Sequence, residues 1–455
     1  MASANSYDVI VIGAGLAGLH AGLLLDEKGL NTVVVEAQDR TGGRIHSMRQ
    51  LGSNAEAGGT FIGAGYKRIF AVAKRFGINL IDVTPLLEFF REQDLSLGDE
   101  IIRQSEWESH PSNPFPERDR AIMPWNYHRV LTMRENPLPS PSAWLDPEFA
   151  RYDISMHEWM RSIGLDEQVI KLGYNLNTSF GADAHDVSAL LLFFRAAFSK
   201  AQRKDAPKDS IGFTVENGVQ RIPDAMAAGL QTEVLFNHAV TAIEQSGNRL
   251  TVTCKSGQSL TADHVICTLP FGVLKQVHIS PALNEVQARA IREVPSQPVS
   301  QFYFSTKSEF WREDGYAPSL FTDGLPGMVA AVRDGTDPTR ITHLTAWLMG
   351  KHAAALHGLS ERDAAQRIIS DIERRRPAAS GQLECIGSQM WGSDPYALGA
   401  WAYFRPGQIK EYARAMGTPH GRLHFCGEHL ALTTRGMEGA LESAEAAVSA
   451  ISGDS

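Results

Sequence analysis

Residues 7–36, YDVIVIGAGLAGLHAGLLLDEKGLNTVVVE, constrain the fold more than any other part of the 455-residue chain. Tyr7–Ile12, apolar but for Asp8, predicts a strand buried on both faces, as in a parallel sheet. Gly13-Ala14-Gly15-Leu16-Ala17-Gly18 follows at once and fits GxGxxG. A helix over Leu19–Lys28, closed near Gly29, and a second strand over Thr32–Val35 complete a βαβ unit. A glycine-rich turn alone is a weak signal. A strand before it, a helix after it and the acid Glu36 closing the second strand make it a specific one. Gly13, Gly15 and Gly18, with Ala14 and Ala17 between them, permit the tight turn and let a pyrophosphate approach the helix N-terminus. Glu36, followed by Ala37, is placed to accept hydrogen bonds from a ribose with a free 2′-hydroxyl, which suits NAD or FAD rather than NADP.

The next segment separates those two. Thr41-Gly42-Gly43-Arg44 adds a second glycine pair and a fixed cation, and Glu56-Ala57-Gly58-Gly59 adds a third flexible turn. These extra backbone approaches are expected for the long, extended FAD. Further along, 233–236, 239–243, 249–253 and 264–268 read as strands separated by turn signals. Helical patterns cover 155–163, 187–200 and about 437–451, and 423–426 is a strand. The proline- and tryptophan-rich segment 85–147 reads as an irregular cap with short helices. Dinucleotide-type pieces thus occur at both ends and in the middle. The expected architecture is α/β: a Rossmann-like FAD domain over 1–84, 205–290 and 390–455, and an α+β substrate domain with a mixed sheet over 85–204 and 291–389.

Composition excludes several classes. Fifty-two acidic residues against 43 Lys and Arg leave a net charge of −9, which argues against a nucleic-acid partner. The run Arg374-Arg375-Arg376 is read as a solvated helix face. Cys254, Cys267, Cys385 and Cys426 have no paired spacing, so neither a zinc site nor a disulfide framework is expected, and a reducing compartment fits. MASANSYDV is too short and polar for a signal peptide, and no apolar run approaches a membrane span of about 20 residues. A cytoplasmic protein without a membrane partner is expected, and a homodimer is compatible with it.

DVIVIGAGLAGLHAG followed by VVVEAQDRTGGRIHS resembles the flavin-containing amine oxidase family, which includes monoamine, polyamine and L-amino-acid oxidases. The likeness continues in FTVENGVQRIPDAMAAGL, HVICTLPFGVLKQVHISPAL, WGSDPYALGAWAYFRPG and LHFCGEHLALTTRGMEGALESAEAA, so it covers nearly the whole chain. The resemblance implies FAD-dependent oxidation of a small-molecule amine, with hydride transfer to the flavin, an imine product that is hydrolysed, and reoxidation by O2 or another electron acceptor, such as an acceptor protein. An L-amino-acid oxidase, or a desaturase resembling protoporphyrinogen oxidase, is the alternative. The first would need an arginine for the carboxylate, and the sequence does not choose among Arg91, Arg195 and Arg435.

By motif, the resemblance places Gly13, Gly15, Gly18 and Glu36 on the ADP half, Val240 at the adenine and Arg44 near the phosphates. Gly427-Glu428 falls near the ribityl chain, Met437 at the flavin end of the last helix, and Trp391 beside the ring. Two positions depart from the family. Gln301 stands where many members have a lysine that holds a water near the flavin. Gly436 stands where monoamine oxidases have one of two aromatic residues flanking the amine; the other falls at Ala400 or Trp401, which leaves Trp401 as one wall of a half-open cage. Gly399 replaces the cysteine that animal monoamine oxidases join to the flavin, so FAD is expected to be non-covalent. Phe193 and Phe194 are open to two readings, cavity wall or core. His157, His185, His343 and His429 are given no catalytic role.

Overall fold

Four consecutive aliphatic residues with no polar alternation need cover on both faces, and Val9–Ile12 obtain it as the centre of a large sheet. The computed structural model describes residues 6–51, 55–84, 92–207, 210–333, 337 and 339–453. Strand Ser6–Ile12 pairs in parallel with Thr32–Val35 on one side and Ser259–Cys267 on the other. The full order runs Val234–Leu235, Thr32–Val35, Ser6–Ile12, Ser259–Cys267, Arg249–Cys254, Val240–Ser246 and His278–Ser280. The end of the Ser259–Cys267 strand also takes Leu423–Phe425 as a parallel partner. Helices Leu16–Glu27 and Gly436–Ser452 bury Leu19, Leu23, Leu441 and Val448 in one core with Val9 and Val11. The first helix begins three residues earlier than the sequence suggests and ends as expected. Gly29, at φ 72°, donates to Asp26 O, and Leu30 donates to Leu25 O, which closes the last turn.

A second, seven-stranded sheet runs Leu383–Met390, Val299–Thr306, Ile341–Met349, Met328–Arg333, Ser319–Thr322, Gln93–Leu97 and Glu100–Ile102. Helix Glu361–Arg375 packs Ile368 and Ile372 against Phe302, Phe304 and Leu344. Two strands of this sheet come from the segment read as an irregular cap. The rest of that segment is short 3-10 turns and the helix Tyr127–Arg134. Residues 85–91 lie outside the described residues, and Arg91 with them.

The arginine run is corrected by the structure. Arg374 is half-exposed and pairs with Asp371, but Arg375 and Arg376 are buried, at 7% and 2% exposure. Arg375 donates to Ser96 Oγ (2.9 Å), Gly98 O (2.6 Å), Asp323 (2.9 Å) and Asp371 (3.1 Å). Arg376 makes a two-pronged contact with Asp314 (3.0 and 2.8 Å) and lies over the Phe310 ring. The run therefore ties strand Gln93–Leu97, next to the edge, to the rest of the sheet. Arg375→Met leaves the half-exposed Asp323 without this cation, Asp371 with Arg374 alone, and Ser96 Oγ and Gly98 O without their donor, so it should cost about 1–3 kcal/mol. Chemical denaturation of the variant checks this: a loss under about 1 kcal/mol would show that the network is dispensable.

Candidate active site

One cavity of about 1460 Å³ runs between the two sheets. Its dinucleotide end is built by the turn after the first strand. Gly13, at φ 104°, has no room for a side chain, since a Cβ would lie 2.3 Å from Thr268 Oγ1. A Cβ on Gly18 would lie 1.9 Å from Gly13 O, so this glycine lets the helix lie against the strand. Gly13, Gly15, Ala17, Glu36, Ala37 and Val240 line the cavity. Ala14 and Gly18 stand behind that wall. Ala14 N donates to Glu36 Oε2 (2.7 Å) and Gln38 N to Oε1 (2.9 Å), which fixes the carboxylate at the cavity edge. Burial raises the Glu36 carboxyl above its ordinary range against those two hydrogen bonds.

Further in, Gly43, Arg44, Gly58, Gly59, Gly427 and Glu428 line the same space. Arg44 Nη1 donates to Ala400 O (2.6 Å) and to Glu428 Oε1 (2.9 Å), and Ala402 N donates to the same oxygen (3.1 Å). Burial alone would push Glu428 up; Arg44, with Arg435 and the hydrogen bond from Ala402 N, outweighs it, and the carboxyl lies below its usual range. Trp391, Gln301, Trp401, Gly436 and Met437 complete the set. Trp391 Nε1 donates to Ala57 O (2.8 Å) and Trp401 Nε1 to Ser179 O (3.0 Å).

Gln301 is buried on strand Val299–Thr306 of the second sheet, opposite Trp347. Its Nε2 donates to Glu56 O (3.3 Å), whereas its Oε1 and Trp347 Nε1 have no partner. Both residues line the cavity. An unpaired acceptor beside an unpaired donor is costly unless something polar meets them. Together with the glycine cradle, the helix N-terminus and the anchored Glu36, they fit a long dinucleotide whose far end is polar.

Three placements refine the sequence reading. Phe193 and Phe194 are core: Phe194 stacks on Trp144 (4.4 Å) and Phe193 packs edge-on to Trp159 (5.0 Å). The helix Ala189–Asp205 lines the cavity instead with Arg195, Phe198, Ser199 and Gln202. The space beside Gly436 is not left open. Tyr66, a cavity residue stacked on Phe198, brings its hydroxyl to 3.5 Å from where a Cβ at 436 would lie. Arg129, Ser179 and Phe180 also line the cavity and were not foreseen. Of the histidines, His343 and His429 are buried and held down to about 4 by that burial, while His157 and His185 stack on each other away from the cavity.

Residues 16–452 match the flavin containing amine oxidoreductase family. The chain belongs to that family. Its activity is FAD-dependent oxidation of an amine. It is 27% identical to a flavin-containing amine oxidase of Danio rerio over 98% of this chain and 85% of that protein. To the B form of Homo sapiens it is 25% identical, over 97% and 85%. Among solved structures, an engineered putrescine oxidase from a redesign of cofactor binding superposes with a TM-score of 0.77 at 22% identity, covering 99% of this chain and all of that one. Cyclohexylamine oxidase from Brevibacterium oxydans IH-35A gives 0.77 at 21% identity over 98% and 99%.

One acid supports the site from outside. Glu56 accepts from Ser47 Oγ (2.6 Å) and Val219 N (2.9 Å), joining the TGGR-to-EAGG segment to residues 212–221. Burial lifts its carboxyl from 4.5 to about 7, against those hydrogen bonds. The folded protein thus holds this proton more tightly than the unfolded chain. Stability that Glu56 contributes below pH 4.5 is lost as the pH rises through about 7. Glu56→Gln should match the wild type near pH 4.5 and melt higher at pH 8, by about 1–3 °C. Parallel melting curves across this range would show that the acid does not titrate there.

Proposed function

We propose that the amine is oxidised in the part of the cavity walled by Trp401, Tyr66 and Gln301, with FAD held non-covalently along the wall from Glu36 through Arg44 to Met437. Gln301 comes from the expected substrate segments (85–204, 291–389), and Tyr66 and Trp401 from the expected FAD segments (1–84, 205–290, 390–455), so on this reading the amine is oxidised where the two meet. The observation that carries this reading is the convergence on one cavity of residues from five separate sequence motifs. FAD, when bound, supplies the hydride acceptor. The chain supplies shape and polarity. Trp401 is fixed by its bond to Ser179 and offers an aromatic face to an alkylamine. Arg44 and Glu428 hold the 400–402 backbone in place, and the N-terminal end of helix Gly436–Ser452 presents positive partial charge to the cavity. Gln301 Oε1 is free to hold a water.

Gly399 supports non-covalent binding. It has no side chain to bond the flavin, and at φ 135° a Cβ there would meet Ser296 Cβ at 2.4 Å. The four cysteines are free, and no helix among the described residues is long and apolar enough to cross a membrane; we place the enzyme in the cytoplasm on that basis. The electron acceptor is O2 or a carrier reached through the same cavity, and an uncharged glutamine at 301 favours slow reaction with oxygen.

Two outcomes follow. Acid precipitation should release all the flavin into the supernatant; colour retained in the pellet overturns non-covalent binding. Gln301→Lys should raise the rate of reoxidation by O2 after anaerobic reduction with an amine. An unchanged stopped-flow trace would remove position 301 from the oxygen reaction.

A further inference from the structure

The substrate end of the cavity is cationic, although the protein as a whole is acidic. Arg129, on helix Tyr127–Arg134, and Arg195, on helix Ala189–Asp205, both line the cavity with exposed side chains although each lies deep inside the protein. Their exposure is therefore to the cavity. Arg129 donates to Ser179 Oγ (2.9 Å), and Arg195 lies over the Phe180 ring at 4.6 Å. Among the described residues neither has a carboxylate within ion-pair distance. Arg435, buried at 8% exposure, lies over the rings of Trp144, Phe194 and Phe404, with its Nε and Nη2 unpartnered. Burial first, and then the nearby Arg195, push Arg129 and Arg435 down to about 10, Arg435 against the pull of Glu428, and burial lowers Arg195 as well; guanidinium groups stay charged at neutral pH.

Among the described residues the cavity's acids are Glu36 and Glu428. Glu36 stands at the dinucleotide end, and Glu428 is already paired with Arg44. Arg129 and Arg195, and Arg435 offset only in part by Glu428, are costly in a protein interior without a further counter-anion. The nucleotide phosphates do not supply it here, because the glycine turns that cradle them lie on the first sheet. Arg129 and Arg195 instead contact residues 179–180, directly behind Trp401: Phe180 packs edge-on to Trp401 (6.2 Å) and lies under Arg195, and Ser179 takes hydrogen bonds from both Trp401 and Arg129.

We propose that the substrate is an amine that also carries a carboxylate, which Arg129 and Arg195 bind one phenyl ring's width from Trp401 while the amine end lies against Trp401. This rests on the amine-oxidation site described above and names its substrate class. A diamine or a plain alkylamine would bring only positive charge or none to this wall. An amino acid brings the missing anion, and the planar guanidinium forks suit a carboxylate.

The test uses the FAD-loaded enzyme, anaerobic flavin bleaching, and pairs made of an amino acid and its decarboxylated amine, with the carboxylate at α, β, γ or δ positions. In at least one pair the carboxylate form should reduce the flavin with kcat/KM at least about tenfold higher. Arg195→Gln and Arg129→Gln, each retaining FAD, should lower that ratio by about tenfold or more. Plain amines that bleach the flavin as fast as their partners, or a ratio unchanged in both variants, overturn the proposal and leave amine oxidation standing. If no compound bleaches the flavin, amine oxidation itself fails, and a binding titration decides the anion site separately. Benzoate, unlike benzamide, should then perturb the flavin absorption band with a Kd raised by Arg195→Gln. Absence of that perturbation overturns the site.

Discussion

The guanidinium of Arg44 holds together parts of the chain that have no other reason to meet. It comes from the loop after the second strand, takes Ala400 O from the WGSDPYALGAWAYFRPG stretch, and pairs with Glu428 from the turn before the last helix. Glu428 in turn accepts from Ala402 N, so one ion pair fixes both the backbone on either side of Trp401 and the entry to the last helix. The pair is buried, and a buried pair is retained only where its geometry is good and its other valences are met. Here they are met by main-chain groups. Both bonds leave Nη1, whose two N–H groups are fixed in the guanidinium plane; a lysine's freely rotating ammonium would not be held in that way. The dinucleotide wall and the substrate wall meet at this residue.

From that junction a second chain of contacts leads away from the cofactor side. Gln297, fully buried, accepts from Gly181 N and donates to Thr178 O and Gly181 O, while its own backbone pairs with Trp401 and Ala400. The 178–181 turn is thereby locked against the Trp401 segment. Ser179 and Phe180 on that turn then receive Arg129 and Arg195. The position of the cations relative to the aromatic wall is set by main-chain hydrogen bonds, which tolerate little drift.

What could be read from the sequence was what lies close together in the chain. The strand, glycine turn, helix and Glu36 span 30 residues, and each needs its neighbours for its own chemistry, so the pattern carried the geometry with it. Gly399, Gly436 and Gln301 were placed by resemblance, and all three lie at or beside the cavity. Arg129 and Tyr66 were missed because neither has a local signature. Each reaches the cavity only through packing against elements far away in sequence. Arg375 and Arg376 were misread for the same reason: a helix period shows which residues share a face, not that a strand from residues 93–97 will arrive to cover it. The FF pair of helix Ala189–Asp205 and the arginine after it show the limit within a single turn, where two phenylalanines went to the core and Arg195 to the cavity.

Oxidation at carbon needs the nitrogen lone pair, so a bound ammonium must first lose its proton. The cavity offers little help by acid–base means. Glu36 is remote, Glu428 is committed to Arg44, and the lining histidine, His238, sits at the dinucleotide end bonded to Phe236 O and Gln258. The arginines supply a different means. Two guanidinium groups facing one carboxylate leave a residual positive charge, with Arg435 adding to it, and a positive field disfavours the ammonium form of a nearby amine. The wall that holds the anionic end of the substrate therefore also lowers the pKa at its other end. Binding and deprotonation come from the same charges, which explains how an amine can be oxidised in a cavity whose substrate end has no free base.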